Sequence, residues 1–62
     1  MMDITFYLKE VPNFADVHSS TVIPRIGEEV ELSGMCVRRV YKVIYRYSDN
    51  GVSHVNVHLE NY

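Results

Sequence analysis

Apolar and polar residues alternate at the start of the chain, with Ile4, Phe6 and Leu8 in one set and Asp3, Thr5, Tyr7 and Lys9 in the other. A period of two is that of a strand with one buried face, so residues 2–11 are expected to form a first strand. Pro12 cannot donate to a ladder, and the polar run Pro12–Ser20 reads as a long loop of the kind that contacts partners. Residues 21–32 start extended, turn through Pro24 and Gly27, and resume as a strand with Val30 and Leu32 inward and Glu29 and Glu31 outward. Ser33 and Gly34 supply the next turn. The run from Met35 to Ser48 is rich in β-branched and aromatic residues, and Asp49-Asn50-Gly51 joins it to a second alternating run. That is the pattern of a hairpin.

The hairpin's register follows from its side chains. A two-residue Asn-Gly turn would set Arg46 against Val55 and Lys42 against Leu59, mixing charges with the apolar set. A three-residue loop, with Gly51 left-handed in a G1 bulge, sets Tyr45 against Val55, Val43 against Val57 and Tyr41 against Leu59. The second register is expected. It sends Tyr41 and Tyr45 to the core and leaves Arg38, Lys42, Arg46, His54, Asn56 and His58 outward, with Val40 and Ile44 as apolar exceptions on that face. Tyr7, Tyr47 and Tyr62 are expected to be exposed.

No segment has a sustained helical period with caps, so the expectation is an all-β chain of about five antiparallel strands closed into a small barrel. The segments Ile23-Pro24-Arg25-Ile26-Gly27-Glu28-Glu29-Val30, Tyr41-Lys42-Val43-Ile44 and Val55-Asn56-Val57-His58-Leu59 resemble those of short bacterial and phage proteins with an SH3-like barrel. The resemblance covers roughly residues 21–60. It implies the fold and leaves the role open, because this barrel carries many unrelated functions. The aromatic groove that grips proline-rich ligands in signalling SH3 domains has no counterpart motif here.

Length bounds the rest: 62 residues make a single domain, 1–62, with a small core. With 47% hydrophobic residues the chain has enough apolar material to fold. One cysteine, Cys36, allows no internal disulfide and fits a reducing cytoplasm, with the thiol structural. No apolar run is long enough for a membrane helix and no secretory signal is evident, so a cytoplasmic protein without membrane contact is expected. The net charge of −2 gives no global attraction to nucleic acid.

The candidate chemistry is sparse. His54 and His58, four residues apart on a strand, are separated by about 13 Å, too far to share one zinc ion. Asp16, His18 and Ser19 or Ser20 lack a nucleophile elbow and an oxyanion hole, and Gly27, Gly34 and Gly51 are isolated turn residues. Neither an enzyme nor a bound metal or cofactor is expected. Four of the six basic residues, Arg38, Arg39, Lys42 and Arg46, fall within nine positions. The surface they suggest comprises Arg38, Lys42, Arg46, His54, His58, Tyr7 and Ile44. Glu29 and Glu31 on the preceding strand are the residues that would neutralise it through cross-strand pairs worth roughly 0.2–1 kcal/mol each. Two functions fit this face. One is a non-catalytic protein-interaction module, such as a phage or mobile-element inhibitor or adaptor of a host protein. The alternative is a small nucleic-acid-binding barrel using the Arg38/Lys42/Arg46 face. Pairing of the chain with itself as a homodimer is compatible with the first.

Overall fold

The computed structural model describes residues 2–61. Five strands, β1 (Met2–Leu8), β2 (Val11–Ser20), β3 (Glu29–Glu31), β4 (Val37–Ser48) and β5 (Gly51–Glu60), form one sheet in the order β2-β1-β5-β4-β3. The described residues contain no helix, and so none that is long and apolar enough to cross a membrane. Tyr62 lies outside the described residues.

The sheet is mixed, which corrects the expectation of purely antiparallel strands. β1 runs parallel to β5 and antiparallel to β2, while β3–β4 and β4–β5 are antiparallel. The β1–β5 register sets Ile4 against Val55, Phe6 against Val57 and Leu8 against Leu59. All six side chains are buried, and with Val40 and Leu32 they form the core on the inner face of the curled sheet. Alternation fixes which face of a strand is buried but says nothing about its direction, so either orientation of β1 satisfies it. The curl is that of a half-barrel. The edge strands β2 and β3 both line one cleft of about 340 Å³, with Ile4, Phe6 and Leu32 beside them, but no ladder joins them.

A second correction concerns Pro12–Ser20, which is strand rather than loop. The first strand stops at Leu8, and a turn at Lys9–Glu10 returns the chain as β2. Pro12 is tolerated because β2 is an edge, where a missing N–H leaves no ladder bond open on the solvent side. Between the Leu8–Val11 and Phe6–Asp16 pairs β2 carries three more residues than β1, so this stretch bulges. Beyond it Asp16 and His18 pair with the inward residues Phe6 and Ile4. The inner positions of β2 are therefore polar, which hides the strand period.

The β4–β5 hairpin keeps the expected register through its middle: Tyr45 faces Val55 and Val43 faces Val57. Gly51 has φ 104°, the expected left-handed conformation, but it pairs with Ser48 across a two-residue Asp49-Asn50 turn, and the extra residue is Ser53, between the Tyr47–Val52 and Arg46–His54 pairs. The third expected pair fails. Leu59 faces Val40, because Tyr41 is an extra residue between the Val40–Leu59 and Lys42–His58 pairs. Tyr41 consequently leaves the core for the outer face, where its ring meets His58, and Val40 enters the core at 1% exposure. Tyr45 has inward parity but remains 48% exposed, since the half-barrel leaves the hairpin tip uncovered.

Leu59 lies at the centre of the buried set, whereas Val17 on β2 is 61% exposed. Leu59→Ala is expected to lower stability by about 2–5 kcal/mol. Val17→Ala should stay within about 0.5 kcal/mol, both read from urea unfolding curves.

Candidate functional site

Three strands carry the outer face. In the observed registers Asp3, His54 and Arg46 form one row across β1, β5 and β4, Thr5, Asn56 and Ile44 the next, and Tyr7, His58 and Lys42 the third. Neighbouring strands lie about 4.8 Å apart and alternate residues about 6.7 Å apart, so the nine side chains form a compact grid. Of the residues expected to share a surface, Tyr7, Lys42, Ile44, Arg46, His54 and His58 do so.

Arg38 does not. It pairs with Val30, an inner-face residue, because the extra residue at Tyr41 reverses the parity of everything before it in β4. Its side chain is 12% exposed, and Nε donates to Glu10 Oε1 at 3.1 Å. A second donor, Nη1, reaches the carbonyl oxygen of Cys36 at 3.2 Å. Arg38 thus ties the β1–β2 turn to the start of β4 and is withdrawn from the basic surface. Cys36 itself is exposed and takes no part in the core.

The neutralising role expected of Glu29 and Glu31 is also displaced. β3 is three residues long and meets only the start of β4, where Glu29 faces Arg39 and Glu31 faces Val37. Neither is opposite Lys42 or Arg46. Among the described residues, no carboxylate forms an ion pair with either of these cations.

The two histidines are held differently. Thr5, buried on the outer side, places Oγ1 2.6 Å from His54 Nε2, in a hydrogen bond whose direction follows the ring tautomer. His58 stacks on Tyr7, with centroids 5.0 Å apart and planes at 18°, and meets the edge of Tyr41 at 6.1 Å. Lys9 Nζ lies 5.4 Å from the Tyr41 centroid, within cation–π range. The aromatic packing shields His58 Nε2, which has no hydrogen-bond partner among the described residues. Desolvation and then the nearby Lys42 charge lower the His58 pKa from its ordinary 6.5, which favours the neutral ring.

Elsewhere, His18 Nε2 lies 2.9 Å from Asp16 Oδ2, but neither nearby serine completes a catalytic chain. Ser19 donates to Asp3, and Ser20 is engaged with the backbone of Val22. Among the described residues no group of three or more His, Cys, Asp or Glu side chains is placed to hold a metal ion. The aromatic clamp on His58 was legible only in part: parity placed Tyr7 and His58 outward, while the contribution of Tyr41 depends on an extra residue that no local motif marks. Comparison with protein-family models, curated proteins and solved structures finds no match.

The lowered His58 pKa has a defined consequence. The unfolded chain binds this proton more readily than the folded one, so the His58 contribution is complete above pH 6.5 and is lost as pH falls through that value toward the folded pKa. Thermal unfolding of the wild type should shift to lower temperature across that window. His58→Gln is expected to flatten this part of the profile, and Lys42→Ala to reduce it.

Proposed function

We propose that this chain is a non-catalytic protein-interaction module that docks an acidic protein surface on the outer face of β1, β5 and β4. The observation that carries this reading is the pair of exposed cations, Lys42 and Arg46, on either side of Ile44 and unpaired among the described residues, next to the packed rings of Tyr7, His58 and Tyr41. Aromatic side chains and arginine are enriched where proteins meet, and a face already held rigid by ring stacking loses little freedom on binding. Charge complementarity would steer an acidic partner to it.

The nucleic-acid reading is weaker. It relied on a stripe of Arg38, Lys42 and Arg46, and Arg38 is committed to Glu10 at the other face. By the same change of parity Arg39 takes an outward position, but opposite Glu29 and Glu60, so on a chain of net charge −2 the face offers a small electrostatic footprint for a phosphate backbone. The SH3-like kinship suggested by residues 21–60 draws support from the antiparallel β3–β4–β5 meander. A phage-derived inhibitor or adaptor of a host protein is the concrete form of this proposal.

Affinity capture from a bacterial lysate tests it. The wild type should retain a protein partner at ~0.3 M salt, where the Debye length is near 6 Å. The charge-reversed Lys42→Glu/Arg46→Glu protein should bind that partner at least about tenfold more weakly, a loss of about 1.4 kcal/mol. Binding instead to DNA or RNA, steeply weakened by salt and abolished by Lys42→Ala/Arg46→Ala, would establish the nucleic-acid function in its place.

A further inference from the structure

Beyond the reach of β3, one edge of β4 stands open. β3 covers Val37–Arg39, and the backbone of Val40 is bonded to Gly27 and Glu28, both at 2.9 Å. From Lys42 to Ser48 the described residues supply no further backbone partner on that side. The inner face along this edge is apolar and uncovered: Tyr45 is 48% exposed, Tyr47 74% and Ile26 67%. Pro24, Arg25, Ile26, Val43 and Tyr45 line a groove of about 510 Å³ beside it. The other long edge, β2, is guarded by Pro12 and a bulge; this one carries neither proline nor glycine.

We infer that two copies of the chain pair through this edge, β4 against β4 and antiparallel, about a twofold axis at Tyr45. In such a pair one residue must face its own copy, and inner side chains must face inner ones. Centring on Ile44 sets Lys42 against Arg46, and centring on Arg46 sets that residue against itself; both oppose like charges. Centring on Val43 sets Arg46 against Val40, whose backbone is already engaged. A pair centred on Tyr47 runs past the end of the strand at Ser48. Centring on Tyr45 has none of these faults. Tyr45 then faces Tyr45, Val43 faces Tyr47, Ile44 faces Arg46 and Lys42 faces Ser48.

The inner face of this pairing is wholly aromatic and β-branched, the most favourable kind of cross-strand contact. Because Val43 also lines the groove with Pro24 and Ile26, each copy's Tyr47 is directed at the groove of the other. Tyr47, the most exposed tyrosine among the described residues, and the adjacent apolar groove thereby cover each other. The sheet becomes continuous across the axis, with the Lys42 and Arg46 of both copies on one outer face. The dimer does not depend on what that face binds.

Sedimentation velocity of the full chain from about 5 µM to about 500 µM tests the inference, since mass action makes such a dimer concentration-dependent. The wild type should pass from 7.2 kDa toward twice that mass. Tyr47→Lys, at a side chain exposed in the single copy, should remain monomeric throughout with an unchanged far-ultraviolet circular dichroism spectrum. Ser48→Asp, which gives each Lys42 a carboxylate across the axis, should tighten the dimer several-fold. A wild type that stays at 7.2 kDa over the whole range overturns self-pairing and leaves this edge to a strand of another protein. A dimer that survives Tyr47→Lys overturns it equally, because a different surface then holds the copies together.

Discussion

The structure depends on one extra residue in β4. Where Tyr41 is left out of the ladder with β5, the strand changes which side each residue presents. After it, Lys42, Ile44 and Arg46 face outward against His58, Asn56 and His54. Before it, Val40 is buried against Leu59, and Arg38 lies with Val30 on the inner side. Without that change Val40 would be outside, Tyr41 would have to fit beneath Leu59, and Arg38 would join the basic face. The bulge at Tyr41, with the extra β5 residue Ser53 holding the register of residues 42–46, therefore sets both the composition of the core and the charge of the exposed surface.

The second constraint is incomplete closure. A chain this short buries its apolar residues mainly between β1 and β5, where three aligned pairs supply most of the fully buried side chains. The inner face of the hairpin tip lies at the margin of that core: Val43 packs against it, while Tyr45 and Tyr47 reach past it and stay exposed. An open half-barrel has edges as well as faces. β2 carries a proline and a bulge that discourage pairing, while the distal half of β4 confines its charges, Lys42 and Arg46, to the outer face and carries aromatic and β-branched side chains on the inner one.

Much of this was legible in the chain itself. Ile4, Phe6 and Leu8 announced β1, Asp49-Asn50-Gly51 located the hairpin, and the side chains of residues 43–46 and 54–57 were enough to choose its register. Three features were hidden for physical reasons. Strand direction leaves no trace in a period of two, so the parallel β1–β5 ladder was unreadable. β2 has Asp16 and His18 at inner positions on an edge, where polar side chains remain partly solvated, and so lacks an apolar period. The bulge at Tyr41 contains neither glycine nor proline, and its cause is tertiary: Val40 fits beside Leu59, and Tyr41 is accommodated against His58. The surface residues from 42 onward were placed correctly because they lie on the turn side of that bulge, and Arg38 was misplaced because it lies on the other.

Cross-strand proton contacts measured by nuclear Overhauser effects on the labelled chain distinguish a bulged β4 from a regular one, since paired residues on facing strands lie within about 5.5 Å. A bulge at Tyr41 gives contacts for both Val40–Leu59 and Lys42–His58, with Tyr41 in contact with the His58 ring. An uninterrupted ladder would instead give Tyr41–Leu59 and Val40–Glu60, and that result would contradict it.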